Sequence, residues 1–465
     1  MTSTVLEATG GKLIRGSDNC RYSGVSIDSR TVEAGELFVA IRGDRFDGHS
    51  FSESVLEKGA AGLLVREGWE PSRESRFNAP DNKADLIAVP DTLRALQDLA
   101  HHHRMGFAIP VVAVTGTNGK TSTKEMIYAI LNVGLRAFRS AGNLNNHIGV
   151  PLSLLKMPRE TEAAVLEFGM SAAGEIRRLR EIARPTVVAI TNVSAAHMDH
   201  LGTLDDVARA KGEILEDLPA HGWAVLNCDD PRVLALRRQV QGKTITFGFS
   251  PEADVTADAI ENLEEGGSRF CLRVGEDQKT IRLDRPGRHQ IANALAAAAV
   301  ARVLGRPMED IARGLENSDL PAMRWETTVL ANGAVVINDA YNANPGSVAA
   351  ALGTLEGLGE GRRNIAVLGD MLELGAQSES LHREVGGMVA TSGIVTLITV
   401  GDQARRIGEG ALKYGMTRDQ VVCCNDWMEA VSALKALVQA DDRILIKASR
   451  GAGLERVAEA LKERS

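Results

Sequence analysis

The chain has 465 residues, of which 44% are hydrophobic and 25% charged, values that are ordinary for a soluble globular protein. At roughly 150 residues per domain, this length predicts about three domains. The formal net charge of −8 argues against nucleic-acid binding, which normally requires a basic face. Small anionic substrates stay compatible with this charge, because local basic groups can bind them in an acidic protein.

We predict neither a signal peptide nor a membrane span from the sequence. The N-terminal stretch MTSTVLEATGGKL lacks the charged start and apolar core of a signal peptide. The most apolar helical stretch, IANALAAAAVARVLG, is short and contains Arg302, so we predict no membrane insertion. The five cysteines show no metal-ligand spacing, and their odd number suits a reduced protein. We therefore predict a cytoplasmic location.

Three segments with different patterns follow one another along the chain. Residues 1–108 mix short strands, such as GLLV and LIAV, with Gly-rich turns. Residues 109–319 contain the strand-like runs VVAVT, AAVLEF, TVVAIT and WAVLN, each followed by a helical pattern, and change near residue 250 to a β-rich insertion. Residues 320–465 again alternate strands, among them NIAVLG and RILIKA, with helices.

Alternation of strands and helices is typical of parallel sheets covered by helices, so we predict the α/β fold class. We expect a smaller mixed α/β N-terminal domain (1–108), a central parallel-sheet domain (109–319) and a C-terminal Rossmann-like domain (320–465). Boundaries of this kind are accurate to several residues.

The stretch VTGTNGKTSTKEM (114–126) lies between a buried-strand run and a helical pattern. At such a turn, backbone N–H groups and the helix dipole converge on an anion. Glycines permit the tight backbone, Lys120 can reach terminal phosphates and Thr121 can offer its hydroxyl to Mg²⁺. Val114 stands where the general phosphate-loop pattern has a glycine. We predict a P-loop nucleotide site made of Gly116, Thr117, Asn118, Gly119, Lys120, Thr121 and Ser122.

Two further ionisable residues follow neighbouring strand-like runs. Glu167 ends AAVLEF, and His197 lies just beyond TVVAIT. Open α/β sheets bind ligands outside the carboxyl ends of their strands, so we expect Lys120, Glu167 and His197 in one crevice, with Mg²⁺ beside the phosphates. Taken alone, Glu167 reads as a surface acid and His197 as a loop histidine. The spacing around Lys211, in DVARAKGEILEDL, is that of an exposed helix lysine.

The shortened loop GTNGKT resembles that of the ATP-dependent Mur ligases and the folylpolyglutamate synthases. In Mur ligases, a lysine in the A-K-x-E-I context is carbamylated and helps to hold a second Mg²⁺. The resemblance implies this role for Lys211 and a second-metal role for His197, so that Thr121, Glu167, His197 and Lys211 form the metal set. It also implies that Asn293, in HQIAN, contacts the adenine side of ATP.

Other stretches resemble the Mur ligases that add a dipeptide. DSRTVEAGELFVAIRG and DGHSF are similar to the family's UDP-binding region, which implies that Ser29 and Arg30 contact the uridine diphosphate. AGNLNNHIGVPLSLL is similar to the dipeptide-adding enzymes and implies substrate contacts by Asn143, Asn145 and Asn146. MRWE, VINDAYNANPGSVAAAL and VLGDMLELG share this resemblance, which implies that Arg324, Asp339 and Tyr341 face ATP.

Two positions depart from the family pattern. His147 replaces the acid often found in N-N-E-I-G, which affects contacts near the peptide acceptor. KASR (447–450) replaces the usual K-G-S-R, so Ala448 stands where the family has glycine, in a C-terminal loop.

The resemblance implies ATP-dependent ligation of D-alanyl-D-alanine to UDP-N-acetylmuramoyl-tripeptide. The acyl-phosphate route gives the pentapeptide, ADP and phosphate, with two Mg²⁺ ions, in peptidoglycan precursor synthesis. The first domain would bind the UDP substrate, the second ATP and the third the dipeptide, in a monomer. Two alternatives stay open: a folylpolyglutamate synthase-like amide ligase, and a switch protein that hydrolyses ATP without ligation. The third residue of the tripeptide, lysine or meso-diaminopimelate, also stays open.

Overall fold

The structure is a computed structural model that describes residues 1–43, 46–72, 75–79, 82–195, 198–263, 266–359 and 361–462. The chain divides into two compact units. The first unit consists of Met1–Ala113, Arg136–Met170 and Glu175–Thr186. The second unit consists of Val114–Leu135, Ser171–Gly174 and Val187–Ser465.

Helices and strands alternate along most of the chain. The N-terminal elements are α1 (Thr2–Thr9), β1 (Lys12–Arg15), β2 (Val25–Ser26), β3 (Leu37–Val39), α2 (Ser52–Glu57), β4 (Gly62–Arg66), β5 (Asp85–Val89) and α3 (Thr92–Met105). The next elements are β6 (Val111–Thr115), α4 (Lys120–Leu131), β7 (Ala137–Arg139), α5 (Gly149–Leu155), β8 (Ala163–Glu167) and α6 (Glu175–Ala183).

The second half of the chain continues this alternation. It begins with β9 (Val187–Ile190), α7 (Met198–Leu201), α8 (Leu204–Gly212), β10 (Trp223–Asn227), α9 (Pro231–Ala235), β11 (Lys243–Phe247), β12 (Val255–Asn262), β13 (Ser268–Val274), β14 (Asp277–Leu283), α10 (Arg288–Val303) and α11 (Met308–Glu316). It ends with β15 (Glu326–Val329), β16 (Val335–Asn338), α12 (Pro345–Glu356), β17 (Asn364–Gly369), α13 (Ser378–Thr391), β18 (Ile394–Val400), α14 (Arg405–Lys413), β19 (Val421–Cys424), α15 (Trp427–Leu437), β20 (Arg443–Lys447) and α16 (Glu455–Lys462).

The first unit contains a five-stranded sheet in the order β1-β5-β4-β3-β2. The strands β2 to β5 pair in parallel, and β1 pairs antiparallel with β5. Strands β3, β4 and β5 are almost entirely buried, because apolar clusters pack on both faces of the sheet. In the same unit, β7 pairs in parallel with β8.

A buried carboxylate ties the N-terminal segment to this sheet. Asp85, at the start of β5, has no exposed surface. Its oxygens accept hydrogen bonds from the Thr2 hydroxyl, the Tyr22 hydroxyl (2.6 Å) and the Ser17 backbone N–H (2.9 Å). Burial and the Asp85 carboxylate raise the pKa of Tyr22, so its proton stays in this contact. Three donors from the first 22 residues therefore converge on one acid.

The second unit contains strands of two different sheets. Strands β9, β10, β11 and β12 pair in parallel, and β12, β13 and β14 continue as an antiparallel meander. This meander is the β-rich insertion that the sequence predicts near residue 250. A six-stranded sheet follows in the order β15-β16-β20-β17-β18-β19, parallel except for the edge strand β15. Apolar clusters cover both of its faces.

The predicted α/β fold class is confirmed by these sheets. All the strand-like runs that the sequence indicated in the central and C-terminal segments are strands, and the run ANALAAAAVARVL lies in helix α10. The short strands β7, β11, β15 and β19 were not predicted. Among the described residues, no helix is long and apolar enough to cross a membrane.

Replacing Asp85 tests the anchor of the N-terminal segment. Asp85→Ala leaves the hydroxyls of Thr2 and Tyr22 without their buried acceptor, at a cost of about 1–3 kcal/mol for each group that becomes unsatisfied. The expected result is a fall in Tm of at least about 2 °C, measured by differential scanning calorimetry. The exposed Asp18 is the matched control, and Asp18→Ala should change stability by no more than about 0.5 kcal/mol. Equal Tm values for the two variants would contradict the anchor.

Candidate nucleotide and ligation site

The predicted phosphate loop joins β6 to α4, and its residues 116–122 belong to the second unit. Gly116 and Gly119 have φ angles of +147° and +80°, conformations that L side chains rarely adopt. The backbone N–H of Thr117 donates to the Asn192 carbonyl (2.9 Å). The Asn192 side chain binds the backbone of Asn118 on both sides. The Asn118 N–H donates to Asn192 Oδ1 (2.9 Å), and the Asn118 carbonyl accepts from Asn192 Nδ2 (3.1 Å). The segment after β9 therefore fixes the shape of the loop.

A buried amide lies directly against this loop. Asn293, in α10, is 7% exposed, and a Cβ atom on Gly119 would overlap its Oδ1 atom. The same oxygen accepts from the Thr123 hydroxyl (3.4 Å), and Nδ2 donates to Gln290 Oε1 (3.3 Å). Asn293 thus supports the loop from α10, while its predicted contact with adenine stays a prediction.

The Lys120 ammonium folds back over the loop that precedes it. Its Nζ atom donates to the carbonyls of Gly116 and Thr117, at 3.0 Å each. Two carbonyl partners keep the positive charge at the loop, where a terminal phosphate would meet it.

Arg324 reaches the phosphate loop from the segment before β15. Its Nη2 atom donates to the Thr121 hydroxyl (2.9 Å), and its guanidinium carbon lies 4.2 Å from the centre of the Tyr341 ring. The residues on either side, Met323 and Trp325, both have a φ of +58°. A left-handed backbone outside glycine is strained and is often found at functional sites. The structure thus brings together Thr121, Arg324 and Tyr341, three residues predicted to face ATP.

Asp339 organises the strained turn that carries Arg324. Its Oδ1 atom accepts from the Trp325 backbone N–H (3.2 Å), and its Oδ2 atom accepts from Lys447 Nζ (2.6 Å). Lys447 is 4% exposed and also donates to the Asn342 carbonyl (3.0 Å). Burial lowers the pKa of the nearby His289 to about 4, so this imidazole is neutral at pH 7. The acid and the buried lysine form an ion pair that holds the turn.

Lys211 is buried inside the second unit. It lies in α8 with 2% of its surface exposed, so the alternative of an exposed helix lysine is wrong. Burial lowers its pKa well below the ordinary value, and the positive charge of Lys120 lowers it further. The uncharged form of this amine is therefore favoured more than that of an ordinary exposed lysine.

Glu167 lies in the first unit, at the end of β8, and is 2% exposed. Its Oε1 atom accepts from Asn145 Nδ2 (2.8 Å). This contact joins a predicted metal ligand to a predicted substrate residue. Lys120, Thr121 and Lys211 belong to the second unit, so the meeting of these groups in one crevice stays a prediction.

The other predicted substrate residues also lie in the first unit. Asn143 is exposed, and Asn146 Oδ1 accepts from the Gly149 backbone N–H (2.8 Å) at the start of α5. Gln97 Nε2 donates to the carbonyl of His147 (3.0 Å), a contact that any residue at this position can make. This hydrogen bond is therefore the same whether histidine or the family's acid stands at position 147.

Ser29 and Arg30, the predicted uridine-diphosphate contacts, follow β2. Arg30 is exposed, and its hydrogen bonds to the Asp28 carboxylate lower the pKa of that acid to about 2. Lys58 Nζ donates to the carbonyls of Ser29 (2.7 Å) and Arg30 (2.9 Å). These contacts hold the backbone of the turn. The contacts of Ser29 and Arg30 with uridine diphosphate stay a prediction.

His197, the fourth predicted metal ligand, lies outside the described residues. Within the described ranges, no group of three or more His, Cys, Asp or Glu side chains could hold a metal ion.

Three family models match the chain. The Mur ligase family, catalytic domain model matches residues 21–104, the Mur ligase middle domain model matches residues 114–301, and the Mur ligase, glutamate ligase domain model matches residues 323–450. The UDP-N-acetylmuramoyl-tripeptide–D-alanyl-D-alanine ligase of Bacillus subtilis (strain 168) is 40% identical over 440 residues, which cover 95% of this chain and 93% of that relative. The chain belongs to the Mur ligase family.

Solved structures match this Mur ligase over nearly its whole length. A crystal structure of MurF from Acinetobacter baumannii has a TM-score of 0.89 at 32% identity and covers 100% of this chain and 98% of that one. The crystal structure of MurF ligase from Thermotoga maritima in complex with ADP has a TM-score of 0.82 at 28% identity, with coverage of 96% and 99%. The resemblance stated from the motifs is therefore confirmed, as is the three-domain α/β architecture.

Sequence reasoning missed several residues that build the site of this Mur ligase. Asn192 follows β9, five residues before His197, and clamps the loop backbone. Asn344 caps α12 and reaches Asn118, and its place directly before Pro345 is a helix-start signal that was present in the sequence. Lys447 carried no local signal, because a lysine at a strand end is usually exposed.

A pair of glycine variants tests the loop geometry. Gly119→Ala adds a left-handed alanine, at a cost of about 1–2 kcal/mol, and also drives a Cβ atom into Asn293. The expected result is ADP binding weakened by at least ~10-fold, measured by isothermal titration calorimetry.

Gly305→Ala is the control for this pair. Gly305 also has a positive φ (+73°), but a Cβ atom there would meet nothing within 4 Å. It should therefore carry the backbone cost alone and bind ADP like the unmodified protein. If both variants bind ADP equally well, the packing of Gly119 on Asn293 does not shape the site.

Proposed function

We propose that this Mur ligase joins D-alanyl-D-alanine to UDP-N-acetylmuramoyl-tripeptide and uses ATP to activate the tripeptide carboxylate. The products are UDP-N-acetylmuramoyl-pentapeptide, ADP and phosphate, and the step belongs to peptidoglycan precursor synthesis. The observation that carries the proposal is the match to the Bacillus subtilis ligase, because it spans 95% of this chain and 93% of that enzyme. The phosphate loop supplies the chemistry that such a ligase requires.

The reaction proceeds in two transfers. The C-terminal carboxylate of the tripeptide attacks the γ-phosphorus, and the bond to the ADP oxygen breaks to leave an acyl phosphate. The free amine of D-alanyl-D-alanine then attacks the acyl carbon, loses a proton, and the carbon–oxygen bond to phosphate breaks. Lys120 and Arg324 would neutralise charge on the phosphates during both transfers, because their cations already lie at the loop. No covalent enzyme nucleophile is required.

Mg²⁺ fits the proposed donor set. Thr121, with its hydroxyl at the loop, and the buried carboxylate of Glu167 are hard oxygen donors of the type Mg²⁺ prefers. His197 and a carbamate on Lys211 complete the proposed set for two ions. Mg²⁺ would supply charge neutralisation at the phosphates and the attacking carboxylate.

The three segments take different parts in the proposed reaction. Residues 1–108 bind the UDP substrate through Ser29 and Arg30, residues 109–319 bind ATP, and residues 320–465 receive the dipeptide. Asn143, Asn145 and Asn146 contact the peptide end of the substrate. The proposed working form is a monomer in the cytoplasm.

Phosphate release tests the function directly. ATP with UDP-N-acetylmuramoyl-tripeptide and D-alanyl-D-alanine should release phosphate and yield the pentapeptide, detected by mass spectrometry, whereas omission of the dipeptide should stop turnover. Parallel assays with lysine and meso-diaminopimelate tripeptides identify the preferred third residue. Phosphate release that does not depend on the acceptor amine would overturn the ligase and favour simple ATP hydrolysis.

The Lys120 variant tests the site within this assay. Lys120→Ala should lower kcat by about 10²–10³, the scale expected for the loss of one charge-stabilising group. Lys435→Ala removes an exposed lysine from α15 and should retain full turnover. Near-normal turnover by Lys120→Ala would remove this lysine from the mechanism.

Lys211 is proposed to act as a carbamate. Carbamylation needs an uncharged amine, and burial together with Lys120 lowers the pKa of Lys211 in the required direction. The uncharged amine nitrogen bonds to the carbon of CO₂, one C=O π bond shifts its electron pair to oxygen, and the nitrogen releases one proton, so a neutral amine becomes an anionic carbamate. The new anion would be attracted to the cation of Lys120 and would supply oxygen donors for a metal.

Labelled CO₂ separates this proposal from a packing role. Under ¹³CO₂ the unmodified protein should give a carbamate ¹³C NMR signal that is missing from Lys211→Ala. That variant should be nearly inactive, and acetate should partly restore turnover by filling the space of the lost carboxylate. Full activity of Lys211→Ala would return the residue to a purely structural role.

A further inference from the structure

Asn118 occupies an unusual position in the phosphate loop. It lies between Gly116 and Gly119, and the side chain of Asn192 binds both its N–H and its carbonyl. The Thr191 hydroxyl also donates to the Asn118 carbonyl (2.6 Å). Because the backbone of Asn118 is held on both sides, the loop fixes the direction of its side chain.

That side chain meets the N-cap of a helix 226 residues further along the chain. Asn118 Nδ2 donates to Asn344 Oδ1 (3.2 Å), and Asn344 Nδ2 donates to Asn118 Oδ1 (2.8 Å). Asn118 Nδ2 also donates to the Ser194 hydroxyl (3.1 Å). The two amides therefore form a reciprocal pair between the phosphate loop and α12.

The capping contact fixes which atom of Asn344 is the oxygen. Ser347 donates its backbone N–H to Asn344 Oδ1 (2.9 Å), and only an acceptor satisfies this N–H. The amide nitrogen must then point at Asn118, whose oxygen must face it in return. One helix cap thus sets the polarity of the whole pair.

Burial gives this contact its energetic weight. Asn344 is 3% exposed, so an unpaired amide there would lose its water contacts without replacement. Loss of Asn118 leaves the buried Asn344 Nδ2 without its acceptor, and loss of Asn344 removes from Asn118 the contact that ties the loop to α12. The loop geometry and the start of α12 are therefore mutually dependent.

We propose that Asn344 is a positioning residue that holds the phosphate loop through Asn118 and couples nucleotide occupancy to the N-terminus of α12. The coupling rests on the proposed ATP-dependent function. Asn344 acts through Asn118 and is not assigned a contact with the reacting atoms. Removing it should loosen the loop in the free protein and weaken nucleotide binding, while the helix cap can be kept.

Asn344→Ser is the variant that separates these effects. Serine caps helices about as well as asparagine, so α12 keeps its cap, but the short hydroxyl cannot form the reciprocal pair. Asp426→Ser, at the N-cap of α15, is the matched cap exchange on another helix of the C-terminal segment. Hydrogen exchange of the amides at 117–121 in the ligand-free protein should be faster in Asn344→Ser and unchanged in Asp426→Ser.

Nucleotide measurements give the second readout. Asn344→Ser should weaken ADP binding by roughly 5-fold or more, within the usual range of coupling between sites. KM for ATP should rise while kcat stays near its original value, because the pair positions the loop in the ground state and transition state alike. A role in stability alone would lower Tm and leave KM unchanged.

A double-mutant cycle decides whether the pair acts as a unit. If it does, Asn118→Ser with Asn344→Ser should weaken ADP binding no more than the more damaging single change. Additive losses, or loop exchange and ADP affinity unchanged in Asn344→Ser, would overturn the proposal.

Unmodified protein that fails to bind ADP would instead count against the proposed function, and the ligand-free exchange rates would still decide the role of Asn344. If Asn344→Ser does not fold, Asn118→Ser supplies the same readouts.

Discussion

Two lysine amines at the phosphate loop set the electrostatic constraint on the second unit. Lys211 is buried, and the cation of Lys120 lies near enough to lower its pKa further. Two positive charges repel, and the burial of Lys211 strengthens this repulsion because the effective dielectric constant is lower there than in water. Two loop carbonyls bind the Lys120 ammonium, whereas the burial of Lys211 disfavours a second positive charge and lowers the pKa of that lysine. A negatively charged ligand at the loop, such as a nucleotide phosphate, would relieve this repulsion.

The sequence predicted the parts of the site whose causes are local. Strand β6, the loop glycines, Lys120 and helix α4 follow one another along the chain. Gly116 and Gly119 adopt positive φ angles because the chain turns tightly between β6 and α4. The contacts of this loop with Arg324 and Asn344 join residues 203 and 226 positions apart. No local pattern fixes such pairings, because they depend on how the second unit folds.

Lys211 shows where a local signal was present but was outweighed. In α8, Val207 and Lys211 are four residues apart and lie on one buried face together with Ala208 and Ala210. The spacing was interpreted as that of an exposed helix lysine, whereas in the structure Lys211 shares the buried face of the helix with Val207. The unpredicted edge strands β15 and β19 show the opposite case, because four-residue strands are specified by their partners more than by their own pattern.

The glycine-to-alanine departure at position 448 can be explained by its packing. Ala448 is fully buried, and a Cβ atom on Gly369 would lie 2.8 Å from the Ala448 methyl. Strands β17 and β20 pair next to this point, so their ends have room for one methyl group but not two. Because Gly369 leaves the space open, alanine at 448 is accommodated.

The residues on either side of Ala448 keep their contacts. Lys447 holds Asp339 (2.6 Å), and the Ser449 hydroxyl accepts from the Leu372 backbone N–H (2.9 Å). The end of β20 thus fixes two loops at once: the turn that directs Arg324 to the phosphate loop, and the LGDMLELG segment. The departure from the family pattern changes the filling of a buried space, while the polar contacts that reach the nucleotide site are preserved.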